Sequence, residues 1–134
     1  MSFKLSNNSI NNMKGIDNRL IDIAEVAIKL SNIDFGIPST GGLRTTEDQA
    51  KLFTEGKSKC DGRINKSFHQ TGRALDCYAY IGGKASWEPA HLAMVGIAML
   101  QAASTLGYSL ESGLLWNKAG KLYGWDCPHF EIGD

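Results

Sequence analysis

The order of periodicities along these 134 residues predicts an α+β fold, a small antiparallel sheet with about three flanking helices. Three observations carry that expectation. Apolar residues recur at helical spacing in the first half, and a second, longer helical stretch occupies residues 87–106. Short strand-like pieces punctuated by glycine fill most of the rest, without the regular strand–helix alternation of a βαβ repeat. The length suits one domain and is too short for two ordinary ones, so residues 1–134 are expected to form a single domain.

Residues 17–31 read as an amphipathic helix, with Asp17 as its cap and Leu20, Ile23, Ala24, Ala27, Ile28 and Leu30 at helical spacing. Between Asn32 and Gly42, the residues Gly36, Pro38, Gly41 and Gly42 allow a short strand at best, then a turn. A second helix is expected from Thr46, which stands three residues before Gln49 as in a capping box, and Gly56 ends it. Residues 57–66 are polar, basic and turn-rich, hence a loop. Residues 74–81 have strand character and run into Gly82-Gly83, a hairpin signal. The third helix spans 87–106, with Ser86 as its cap and Gly107 closing it. Pro89 falls in the first turn, where no intrahelical N–H bond is lost. Residues 108–110, 114–116 and 128–132 then read as short strands joined by glycine turns.

Lys plus Arg and Asp plus Glu number 14 each, so the net charge is zero. Nucleic-acid binders draw affinity from an excess of positive charge, so no nucleic-acid partner is expected. Cys60, Cys77 and Cys127 make no CxxC pair and no even framework, and read as reduced thiols. The first residues lack the continuous apolar run of a signal peptide. The apolar-rich stretch at 90–103 is interrupted by His91, Gly96 and Gln101. It reads as too short and too broken to span a bilayer, so no stable membrane association is expected.

The chemistry concentrates in two stretches. One holds Ser67, His69, Gly72 and Asp76; the other holds Trp125, Asp126, His129 and Glu131. Two imidazoles and a carboxylate suit one zinc ion, which in catalytic sites takes three protein ligands and keeps a fourth position for water. Manganese or cobalt fits the same donors. Asp126, three residues before His129, is the expected partner for that water, and the pattern points to a hydrolase. Taken singly, each histidine reads more simply as an ordinary polar residue and Asp76 as a strand-end charge. Generic packing does not, however, ask for all of them together. Strand alternation puts Asp76 opposite Leu75 and Cys77, and puts His129 and Glu131 opposite Phe130 and Ile132. Cys77 and Cys127 then read as small buried hydrophobes, and His91 as a helix-surface residue. Trp87, Trp116 and Trp125 read as core, with Trp125, beside Asp126, the one best placed to line a cleft. Lys57, Lys59, Arg63 and Lys66 make either a solvated loop or a field that draws carboxylates toward the metal.

These two stretches resemble the signatures of the zinc-dependent LAS peptidases. That superfamily includes VanY-type D,D-carboxypeptidases, D-Ala-D-Ala dipeptidases and the L-alanyl-D-glutamate endopeptidases of phage endolysins. Gly42, Leu43, Arg44, Thr45 and Gln49 are similar to the family's Gly-aromatic-Arg-Ser-x-x-x-Gln segment, with Leu43 in place of the aromatic residue and Thr45 in place of serine. The likeness covers nearly the whole chain and is greatest to the short phage endolysins. It implies a Hedgehog/D,D-peptidase-like fold with His69, Asp76 and His129 as ligands of one zinc ion. Asp126 would be the general base and acid, and Arg44 would hold the substrate or its oxyanion. Ser67 would contact substrate or support a ligand. The resemblance further implies a monomeric hydrolase that cuts the L-Ala–D-Glu bond of peptidoglycan stem peptides during host lysis. Such an enzyme would be made in the host cytoplasm and reach the wall through a holin. The alternatives are a D,D-carboxypeptidase or dipeptidase acting on D-Ala-D-Ala ends, and a non-catalytic metal-binding module of the same fold.

Overall fold

The computed structural model describes residues 2–116 and 126–133. The described chain opens with a short helix, α1 (Asn7–Asn12), capped by Ser6, whose Oγ accepts from the Ser9 amide at 3.1 Å. Its sequence is too polar to show apolar periodicity, and polar contacts hold it. The Oγ of buried Ser9 accepts from the Ile37 amide at 3.0 Å, and the Asn12 side chain donates to the Ile37 carbonyl at 2.8 Å.

Helix α2 (Asn18–Leu30) starts as expected, with Asp17 accepting from the Arg19 amide at 2.9 Å. It buries Leu20, Ile23, Ala24, Ala27 and Ile28 along one stripe. Leu30 departs from the expectation and is exposed, because Ser31 takes the next inward position. Helix α3 (Thr46–Thr54) also departs in detail. Its cap is Thr45, whose hydroxyl accepts from the Asp48 amide at 3.0 Å, and no Thr46–Gln49 box forms. Gln49 instead turns inward and is fully buried. In helix α4 (Pro89–Leu106) the cap position is Glu88, without a side-chain bond. Ser86 places its Oγ 2.7 Å from His91 Nδ1. At 18 residues and mean hydropathy 1.3, α4 has the length and composition of a membrane-crossing helix, so the expectation of too short a stretch was wrong. His91, Gly96 and Gln101 do not interrupt it. It packs against α2 and buries Leu92, Val95, Met99, Ala102 and Ala103.

The strands form two three-stranded antiparallel sheets among the described residues, where one sheet was expected. They are β1 (Asp34–Gly36), β2 (Ala74–Asp76), β3 (Tyr78–Ile81), β4 (Lys84–Ser86), β5 (Glu111–Ser112) and β6 (His129–Glu131). Their orders are β1-β3-β4 and β2-β6-β5. The strand expected over 74–81 therefore divides at Cys77, which passes the chain from one sheet to the other while its amide donates to the Pro128 carbonyl at 2.9 Å. Gly82-Gly83 turns β3 into β4 as its composition suggests. Residues 108–110 are not a strand. Residues 113–115 form a 3-10 turn, whose cap Ser112 accepts from the Leu114 amide at 3.2 Å, in place of the strand expected at 114–116. Leu75, Cys77, Phe130 and Ile132 face the core shared with α2 and α4, so the opposite faces of β2 and β6 are left to carry chemistry.

Candidate metal centre and active site

Asp76 and His129 are direct cross-strand partners in the β2–β6 ladder, which holds their side chains on one face. His69 reaches the same point from a 3-10 turn (Phe68–Thr71) just ahead of β2. That turn is fixed by a capping box: Ser67 Oγ accepts from the His69 amide at 3.2 Å, and Gln70 Oε1 accepts from the Ser67 amide at 2.9 Å. Gly72 closes it at φ 72°, the sharp bend after His69 that the sequence suggests.

The loop at Gly41-Gly42 supports both ligand candidates of the first stretch, His69 and Asp76. The Gly41 carbonyl accepts from the Asp76 amide at 2.8 Å, and the Gly42 carbonyl lies 3.0 Å from His69 Nδ1. The loop fits because position 42 has no side chain: a β-carbon there would run into the Asn12 carbonyl of α1. The contact to Gly42 makes Nδ1 the protonated nitrogen, so Nε2 carries the lone pair. Nε2 is buried and has no hydrogen-bond partner. It comes within 3.2 Å of Asp76 Oδ1, but off the line that a hydrogen bond needs. A buried lone pair left unsatisfied is costly unless something else engages it.

The same carboxylate oxygen of Asp76 lies 3.1 Å from His129 Nδ1, and the two imidazoles meet edge to face at 5.2 Å. One donor atom from each of His69, Asp76 and His129 falls within 4.8 Å of the others, so this group is able to hold a metal ion. The orphaned His69 nitrogen and the mixture of neutral nitrogen and carboxylate oxygen fit such an ion. Burial pushes the Asp76 carboxyl up, but the adjoining imidazoles of His129 and His69 outweigh it and hold the group well below the usual carboxylate range. His129 is pushed down by burial and up by Asp76 and Glu131, with a net rise.

Around this centre lies a cavity of about 410 Å³, lined by Arg44, Ser67, Trp116, Asp126 and Glu131 as well as the three ligand candidates. Arg44 is tied in three directions. Its Nη2 meets Asp76 Oδ2 at 3.1 Å, its Nη1 donates to Gln49 Oε1 at 3.0 Å, and its Nε donates to the Thr40 carbonyl at 2.7 Å. Its amide also donates to the His69 carbonyl at 3.0 Å. Burial lowers the guanidinium's pKa, while Asp76 and Asp126 oppose that shift. Asp126 stands at the start of the turn into β6, its carbonyl accepting from the His129 amide at 3.1 Å. Burial raises its carboxyl, as does the charge of Asp76, against the pull of His129, His69 and Arg44. Burial likewise raises the thiols of Cys77 and Cys127, in keeping with two small buried side chains.

Two cavity residues escape the sequence reading. Glu131 Oε1 lies 2.8 Å from His129 Nε2, where it fixes the imidazole and directs Nδ1 toward Asp76. Strand alternation already put it on His129's face, which was the signal available. Trp116 lies in the cavity wall, its ring 5.2 Å from the His129 ring, although the expectation set it in the core. Trp125, the tryptophan expected to line the cleft, lies outside the described residues.

Residues 1–132 match the model of the phage L-alanyl-D-glutamate peptidase family. The chain is similar to the L-alanyl-D-glutamate peptidase of Escherichia phage T5, with 36% identity over 139 residues, 98% of this chain and 99% of that protein. In structure it is similar to the crystallised L-Ala D-Glu endopeptidase ChiX of Serratia marcescens. The TM-score is 0.79 and the identity 27%, over 99% of this chain and 90% of the other. Matched almost end to end by the family model and by this relative, the chain, whose cavity gathers the candidate ligands with Asp126 and Arg44, is a member of the phage L-alanyl-D-glutamate peptidase family.

Proposed function

We infer that the chain is a phage endolysin that hydrolyses the L-Ala–D-Glu bond of peptidoglycan stem peptides, using one zinc ion held by His69, Asp76 and His129. The observation that carries this reading is the convergence of those three side chains in a cavity shared with Asp126, in a chain of this family. Two imidazole nitrogens and one carboxylate oxygen form a donor set typical of catalytic zinc. Bound there, zinc would supply Lewis-acid polarisation of water and of the scissile carbonyl.

The remaining steps fall to the chain's own residues. Asp126 takes a proton from the attacking water as its oxygen bonds to the alanyl carbonyl carbon. When the C–N bond breaks, Asp126 returns that proton to the amine of D-Glu. Its raised pKa makes it a better proton acceptor than an ordinary surface aspartate. Arg44, anchored by Asp76, Gln49 and Thr40, offers a fixed positive charge to the oxyanion that develops on the carbonyl oxygen. Glu131 keeps His129 in the tautomer that presents Nδ1. Ser67 orders the His69 turn and lines the cavity, so it supports a ligand whether or not it meets substrate. Monomeric action, access through a holin and the lack of stable membrane association belong to the same reading. A non-catalytic module would have no use for an acid such as Asp126 beside a complete ligand set.

Digestion of purified peptidoglycan tests the reading. New N-terminal D-Glu is expected, and a chelator abolishes its release until zinc is restored. Released D-Ala without new D-Glu termini would refute the assignment in favour of a D,D-carboxypeptidase, and digestion indifferent to chelation would refute the metal.

A further inference from the structure

The cavity gathers side chains of both charges. Asp76, Asp126 and Glu131 line it together with the two candidate ligand histidines, and Lys57, Lys59 and Lys66 line the same cavity. This concentration of cations occurs in a chain of zero net charge. Within the segment itself, Asp61 Oδ1 accepts from the amides of Arg63, Ile64 and Asn65 at 2.9–3.0 Å, and Lys57 meets Glu55 at 3.6 Å in an exposed pair.

The wall is also built rather than loose. Fully buried Gln49 donates to Ser58 Oγ at 2.7 Å and to the Cys60 carbonyl at 2.8 Å, while its oxygen receives Arg44. Gln70, from the His69 turn, donates to the Gly62 carbonyl at 2.9 Å. Side-chain amides therefore pin the basic segment to Arg44 and to the His69 turn. A merely solvated loop has no need of a buried glutamine at its root.

In stem peptides, D-glutamate is joined onward through its side-chain carboxyl, so its α-carboxylate remains free on the carbon beside the leaving nitrogen. Such an anion must enter a site that already holds three carboxylates, and it needs cations on its own side to do so. We propose that the Lys57–Lys59–Lys66 wall is the subsite for this α-carboxylate, and that the enzyme selects stems carrying a carboxylate there over stems carrying a carboxamide. The inference rests on the L-Ala–D-Glu assignment above and adds to it the chemical form of the residue accepted.

The test compares two soluble N-acylated stem peptides that differ only in D-glutamate against D-isoglutamine, for the wild type and for the triple variant K57Q/K59Q/K66Q. The wild type is expected to favour the free carboxylate by about tenfold in kcat/KM, chiefly through KM, with the preference shrinking as salt is added. In the triple variant the ratio falls toward one. These lysines are exposed, so an unchanged thermal melt is expected and excludes misfolding. Equal use of both peptides by the wild type, or a preference that survives in the variant, overturns the subsite alone. If neither peptide is cut at the Ala–Glu bond, the assignment of function falls and the subsite with it.

Discussion

Gly113 offers a sharp test of how Asp126, the proposed general base and acid, is seated. It begins the 3-10 turn beside Asp126, and a β-carbon at 113 would overlap the Asp126 carbonyl oxygen. It would also stand 2.7 Å from the Asp126 carbonyl carbon and 3.0 Å from its Cβ. Carbon contacts settle near 3.5–4.0 Å, so in Gly113→Ala the Asp126 backbone must withdraw by roughly 1 Å. A displacement of that size in a reacting group costs on the order of 10²-fold in rate, about 2.7 kcal/mol of barrier. Overpacking adds a stability loss of about 1–3 kcal/mol. The ligand set should survive, since β2–β6 pairing holds Asp76 opposite His129. Steady-state kinetics on a stem peptide, metal analysis and a thermal melt on the same preparation make the assay. The expected result is a folded, metal-loaded protein with kcat down about a hundredfold. Gly133→Ala is the control, because a β-carbon there meets nothing within 4 Å. A folded Gly113→Ala protein with wild-type kcat would refute the seating of Asp126.

Asp126→Asn should keep its metal and lose about 10²–10⁴-fold in kcat, the usual share of a general base, as measured by turnover beside metal content. Asp17→Ala should cost about 1 kcal/mol at neutral pH by removing the α2 cap. Hydrogen bonds from the Arg19 side chain and amide lower the folded pKa of Asp17, so its contribution is present above the unfolded carboxylate range and is lost as pH falls through the folded value. Denaturant titrations of wild type and variant should therefore converge in acid, and a gap that widened there would contradict the sign. Phe130→Ala, on the fully buried face of β6, should destabilise by about 3–5 kcal/mol in urea unfolding.

Two of the three proposed ligands, Asp76 and His129, are legible in the sequence because strand alternation fixes their faces. Leu75 and Phe130 are fully buried, and Asp76 and His129 must then point the other way. The α2 stripe is legible for the same reason, as is the turn at Gly72. What escapes is decided by contacts distant in sequence. Thr45 and Thr46 both offer a capping hydroxyl, and Gln49 satisfies box spacing from the second. Only the pull of Arg44, Ser58 and Cys60 turns Gln49 inward and leaves Thr45 as the cap. Helix α1 has no apolar pattern because Ser9 and Asn12 dock it on the Ile37 backbone. The split of residues 74–81 at Cys77 depends on which partner strand each half meets, and that information lies some fifty residues away at Pro128 and His129.

Pairing Asp76 with His129 has a consequence for how the chain reaches its native state. Threading β2 past β6 by a single residue would set Leu75 or Cys77 opposite His129 and turn the aspartate toward hydrocarbon. No chelate exists in that misaligned arrangement. A cation held by the proposed ligands would thus proofread the hairpinless β2–β6 match, drawing the population by mass action toward the one alignment that can grip it.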